Sequence, residues 1–151
     1  MRIKHILLLL PLLLMAACGQ KQVPVAAGPP LEPERGQVWQ LVALQGRALD
    51  RAKKAPTLVF NPETRSANGT AHCNEYTFHY TLGRVQQQPD GDHYEVQLTF
   101  WGGGTTECPE GDMSAERRYL GLLGKATAMR LTATTMTLYQ KNRETLHFEL
   151  Q

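Results

Sequence analysis

The chain reads as an α+β domain, mostly antiparallel β: a small curled sheet or partly open barrel with one inserted helix. Three observations predict this. Several segments alternate apolar and polar residues with period two, as half-buried strands do. The breaks between them carry Gly, Asn, Asp or Pro, the residues that turns demand. Only one stretch, late in the chain, spaces its apolar residues as a helix does.

The first strand is "VWQLVAL" (38–44), where Trp39, Leu41 and Ala43 alternate with Val38, Gln40 and Val42. "QGRALD" (45–50) reads as a turn, and "TLVFN" (57–61) as a short strand closed by Asn61-Pro62. In "RSANGTAHC" (65–73) the Asn68-Gly69 pair fits either a hairpin turn or a bulge inside a weak strand. "YTFHYTL" (76–82) has the cleanest alternation, with Tyr76, Phe78, Tyr80 and Leu82 on one face. "HYEVQLTF" (93–100) repeats it with Tyr94, Val96, Leu98 and Phe100, and "PDGD" (89–92) is the turn between the two. "GDMSAERRYLGLLGK" is the helix. Asp112 or Ser114 is its expected N-cap and Gly124 its C-cap; Met113, Tyr119, Leu120 and Leu123 form the apolar stripe, with Glu116, Arg117 and Arg118 off it. Strands at 128–133, 136–140 and 145–150 close the chain, the last two joined by a turn at 141–144.

Ahead of this domain, "MRIKHILLLLPLLLMAAC" has Arg2 and Lys4, then an apolar run, then small residues before Cys18. That order is a secretory signal, with a run too short to span a bilayer comfortably. "MAAC" resembles a bacterial lipobox, with Met15 where Leu is usual; the resemblance implies that residues 1–17 are removed and Cys18 is acylated. Gly19 stands where an Asp would retain such lipoproteins in the inner membrane, so the resemblance favours the outer membrane, facing the periplasm. Residues 18–36 are rich in Pro, Gly and Gln and read as the lipidated N-terminus and a flexible tether; 37–151 is the domain. Loss of Arg2 and Lys4 makes the 16 basic residues 14, equal to the 14 acidic ones. A formally neutral mature chain with no Lys/Arg run beyond "RAKK" (51–54), which reads as a solvated loop, excludes nucleic acid as a partner.

Within 37–151, "WQLVAL", "PTLVF", "GTAHCNEYTFHYTL", "TTECPE", "ERRYLGLL" and "MTLYQ…TLHFEL" occur in the order and spacing of the META domain, the domain of the heat-shock protein HslJ (DUF306). The chain is similar to that family throughout. His72 stands where the family has Gly before Cys-Asn, and Thr106 where it commonly has Met. A glycine in that place suits a positive φ, which His72 resists. The resemblance implies a small, partly open barrel like that of secretin-pilotin lipoproteins, an envelope or secreted role in stress tolerance, motility or secretion, and no catalytic residues.

With Cys18 acylated, Cys73 and Cys108 are the even pair in an oxidising compartment, and they are expected to form a disulfide. Closing a loop of about 36 residues is worth roughly 4 kcal/mol. Catalysis finds little support: His72 beside Cys73 points to the opposite face unless the strand ends there, and a disulfide consumes the nucleophile. His72, Cys73, His79, His93 and Cys108 lack metal-ligand spacing, and "WGGGTT" (101–106) lacks a phosphate-binding Lys, so no metal or cofactor is expected. The aromatic set Tyr76, Phe78, Tyr80, Tyr94 and Phe100 reads as core before cavity lining.

The leading functional reading is therefore a non-enzymatic outer-membrane lipoprotein. It is held to the membrane through Cys18 and acts in envelope integrity or stress tolerance by binding an envelope protein. The alternatives are a carrier of an apolar ligand, such as an acyl chain, inside the half-barrel, and an inhibitor of an attacking hydrolase presenting loop 101–112.

Overall fold

A computed structural model describes residues 28–50, 54–104, 106 and 108–151. The expected signal segment and Cys18 lie outside the described residues. Nine strands and one helix are present among those described: β1 (Val38–Leu44), β2 (Arg47–Ala48), β3 (Thr57–Asn61), β4 (Ser66–Ala71), β5 (Asn74–Gln88), β6 (Gly91–Gly103), α1 (Glu110–Leu123), β7 (Ala128–Leu131), β8 (Thr135–Gln140) and β9 (Arg143–Leu150). The fold is the expected one, mostly antiparallel β with one inserted helix. Strands β3 to β9 pair in sequence order, and β1 pairs with both β3 and β9. The β1–β9 ladder, from Trp39↔Leu150 to Leu44↔Leu146, closes an eight-strand barrel, and β2 extends β1 as a small hairpin. Closure leaves no free edge along β1, the device by which barrels avoid unpaired strands.

The alternating residues fill the interior. Tyr76, Phe78 and Tyr80 of β5 and Tyr94, Val96 and Leu98 of β6 are buried in it, with Met129, Leu131, Met136, Leu138, Leu146 and Phe148 completing the wall. Phe60 meets Tyr80 edge-on at 4.9 Å. One phase change departs from strict alternation: the β1–β9 register shifts between Leu41 and Ala43, so Leu44, not Ala43, turns inward. The bulge lets a large side chain replace a small one in the core. Asn68-Gly69 lies inside β4, opposite Thr77 and Tyr76, and is not a turn. A Cβ at Gly69 would collide with the Thr57 carbonyl, so the close approach of β3 requires glycine. Gln45 and Gly46 have φ of 51° and 75°, and Lys141 and Asn142 of 50° and 62°. Two successive positive values fit the tight hairpins they make.

The two barrel ends are closed differently. Helix α1 covers one, packing Tyr119 and Leu123 into the core. Its N-cap is Pro109, not Asp112 or Ser114; proline suits a helix start, where an N–H has no intrahelical partner. Residues 28–37, read mostly as tether, cross the other end. Gly28 C=O accepts from Gln87 Nε2 (3.0 Å), the Leu31 N–H donates to Asp92 Oδ2 (2.6 Å), and Tyr94 Oη donates to the Leu31 carbonyl (2.5 Å). Pro33 is buried and Arg35 pairs with Glu63 at 3.0 Å. The described part of that segment, from Gly28 on, is a docked strap. Backbone groups and one proline hold it, which its polar, Pro-rich composition does not advertise.

Candidate binding site

The region around the helix entry is built on the β4–β5 turn. Ala71 pairs with Asn74, leaving His72 and Cys73 as the turn residues. His72 adopts φ 38°, so the left-handed backbone expected of the family's glycine is present despite the side chain. Cys73 is bonded to Cys108, Cα–Cα 6.4 Å, which ties the turn to the segment just before α1. Pro109, directly after Cys108, disfavours helical backbone at that cysteine.

A buried carboxylate completes this joint. Glu116 is 5% exposed. Its Oε2 accepts from the N–H of Asn74 (2.8 Å) and of Cys73 (3.3 Å), and its Oε1 from Asn74 Nδ2 (2.9 Å). Asn74 in turn accepts from the Thr106 N–H at 2.9 Å and donates to the Thr106 carbonyl at 3.4 Å. The buried Asn74 N–H therefore finds a carboxylate acceptor on the helix, as a buried donor needs, and the Cys73 N–H shares that acceptor with the Ala71 carbonyl. Placing Glu116 off the helix's apolar stripe is corrected here. Spacing puts residues 116, 119, 120 and 123 on one face, and the buried Asn74 N–H of the turn makes a carboxylate there favourable. One turn further, Tyr119 donates to Tyr76 (2.7 Å), which donates to the Thr57 carbonyl (2.6 Å). Burial first, then the neighbouring Tyr119, holds the Tyr76 hydroxyl well above the usual tyrosine range; burial does the same to Tyr119.

Beyond this joint α1 diverges from the wall. Strand β7 pairs only with Asp92–Glu95 of β6, and the Val96 N–H still reaches the Thr127 carbonyl at 3.1 Å. From Gln97 onward β6 pairs with β5 alone among the described residues. A groove of about 650 Å³ opens between that edge and the helix. Its floor is Phe78, Leu98, Phe100 and Leu120, Gly121 lies open along the helix side, and Arg117 and Lys125 stand at the rim. Neither cation is in an ion pair among the described residues. Of the five aromatic residues read as core, four are buried, but Phe100 is 53% exposed at this groove because the wall it would pack against ends at Glu95. On the outer face Trp101, 72% exposed, meets His79 edge-to-face at 4.5 Å between ring centres. Trp101 is also where the β5–β6 register shifts, opposite the step from Thr77 to Phe78. The bulge turns a large aromatic residue toward solvent.

The site offers surfaces for contact and little for bond-making. Cys73 and Cys108 occupy each other, so neither is available as a thiolate. His79 contacts Trp101, His93 pairs with Asp90 at 3.0 Å, and His147 bonds Thr137 at 2.8 Å. Among the described residues no three His, Cys, Asp or Glu side chains converge as a metal site. The sequence signals that could have found the groove were the break in alternation at Trp101-Gly102 near the end of β6 and Gly121 inside the helix. At both glycines nothing lies within 4 Å of where a Cβ would be.

No curated protein matches the chain. Two solved structures share the fold, each an NMR structure. One, of a protein from Burkholderia xenovorans, is 24% identical, with a TM-score of 0.57 over 83% of this chain and 92% of that one. The other is 19% identical, with a TM-score of 0.51 over 80% and 95%. The META domain model matches residues 31–151, from the strap to the last residue, and so includes the Leu31 contacts. The closed barrel, the capping helix and that match together place the chain: it belongs to the META domain family.

Proposed function

We propose that this protein is a non-enzymatic lipoprotein of the outer membrane, facing the periplasm, that supports envelope integrity or stress tolerance by binding an envelope protein. Acylated Cys18 is its anchor in this reading, ten residues ahead of the strap at Gly28. Ten extended residues reach at most about 35 Å, enough to let the domain lie close to the bilayer. The observation that carries the binding role is the apolar groove beside α1, floored in part by exposed Phe100, with exposed Trp101 next to it in sequence on the outer face. An exposed apolar groove of this kind marks a contact site. The packing of the barrel interior favours a protein partner over an enclosed acyl chain: Trp39, Phe60, Phe78, Tyr80 and Phe148 are each at most 2% exposed and fill the space a carrier needs.

The test is a photo-crosslinking side chain at position 101 in cells, with position 84, an exposed residue outside the groove lining, as control. The expected result is one discrete envelope protein captured from 101 and not from 84, lost when Cys18→Ser releases the chain from the membrane. Equal capture at both positions removes the binding role, and unchanged membrane fractionation of Cys18→Ser removes the anchor.

A further inference from the structure

We propose that the groove between β6 and α1 takes an extended segment of the partner as an added β-strand, apolar at alternate positions and acidic at its ends. The inference rests on the binding reading above for who the partner is, and on the geometry of β6 for how it binds.

Four consecutive residues, Gln97 to Phe100, line the groove. Side chains of one strand alternate between faces, so consecutive residues share a groove only where the strand's edge forms its side. The direction of the backbone groups follows from the register. The Val96 N–H points to β7, where it meets the Thr127 carbonyl. In an antiparallel sheet successive residues alternate the side to which their N–H and C=O point. The β5 pairing runs without a shift from Leu82↔Val96 to Phe78↔Phe100. Leu98 and Phe100 therefore aim their backbone donors and acceptors outward, along an edge with no strand against it among the described residues. An edge of this kind is a template for another chain. Strand addition draws affinity from such main-chain bonds and specificity from alternate side-chain pockets. Here the pockets are the floor of Phe78, Leu98, Phe100 and Leu120. The space beside Gly121 is open, with nothing within 4 Å of where its Cβ would be, so the helix leaves room along the edge. Arg117 and Lys125 supply positive charge at the rim, which selects carboxylates on the incoming segment.

The probe is the peptide acetyl-Glu-Val-Thr-Val-Thr-Val-Glu-amide, added to the full mature chain in detergent micelles. Amide hydrogen exchange and peptide affinity are the readouts. The peptide should slow exchange at Leu98 and Phe100 at least tenfold. Replacing both Glu by Lys should weaken it at least fivefold, and N-methylation of the backbone N–H groups facing β6 should abolish binding. Gly121→Arg should fill the groove and end binding while melting no lower than the parent chain. Binding without slowed exchange at these two amides overturns the proposal, as does equal binding of the N-methylated peptide. So does protection of the same amides without peptide, which would mark a second copy or detergent as the occupant. Capture of an envelope protein at position 101 with both amides unprotected leaves the binding role standing and removes the strand mode. Protected amides with no captured protein keep the strand mode and remove the envelope role.

Discussion

Glu116→Gln tests the joint between helix and barrel with a change of one atom. In the wild type both carboxylate oxygens accept: Oε2 from two backbone N–H groups, Oε1 from Asn74 Nδ2. A carboxamide keeps one acceptor. If its oxygen serves the backbone, its NH₂ confronts the NH₂ of Asn74, whose orientation is fixed because Oδ1 accepts from Thr106. One buried donor pair then goes unsatisfied and the charge assistance is lost, together about 1–3 kcal/mol. Glu116→Leu removes all three bonds and leaves the buried Asn74 N–H dry, while Cys73 keeps the Ala71 carbonyl and Asn74 Nδ2 the Thr106 carbonyl, for about 3–4 kcal/mol. With a urea m-value of about 1–3 kcal/mol/M, the midpoint should fall by roughly 1 M for Gln and 2 M for Leu, at unchanged m. The double variant Glu116→Gln/Asn74→Asp restores one donor facing one acceptor and should recover part of the Gln loss. Wild-type stability of Glu116→Gln, or no recovery in the double variant, would refute the account of this carboxylate.

Three further outcomes follow from the same structure. Replacing Cys73 and Cys108 together by Ser should cost about 4 kcal/mol in urea unfolding, from a closed loop of about 36 residues. Modification of both thiols in protein purified without reductant would overturn the bond itself. Starting the chain at Gly36 should lower the melting temperature by roughly 6–10 °C, because loss of the Leu31 bonds and of buried Pro33 costs about 2 kcal/mol. Starting it at Gly28 should change little, and equal melting of the two would show that the strap holds nothing. Alkaline titration should destabilise the fold above pH ~10: Tyr76 and Tyr119 stay protonated when folded but ionise when unfolded. Their contribution is whole below that pH and falls as pH rises, by about 1.4 kcal/mol per unit for each residue. A Tyr76→Phe/Tyr119→Phe variant should flatten that slope, and an unchanged slope would assign it elsewhere.

Residue order alone determined much of this protein. Alternation in 76–82 and 93–100 located the two long strands and their buried faces, because a half-buried strand must repeat every second residue. The family likeness carried by "GTAHCNEY" and "TTECPE" was legible too, as was the parity that joins Cys73 to Cys108. Pattern reports which face of an element is buried; it does not report what covers that face. Glu116 shows the difference. Its charge marks it for solvent, and only the folded turn presents the Cys73 and Asn74 N–H groups that make an acceptor favourable inside. The strap is similar: Gly28 to Gln37 carries no period, and its place depends on Asp92 and Tyr94, about sixty residues away. Barrel closure joins Trp39 to Leu150, a pairing that no local signal encodes. The groove exists because β7 stops pairing at Glu95 while β6 continues to Gly103, and where two strands part company is fixed by register, which only the tertiary structure sets.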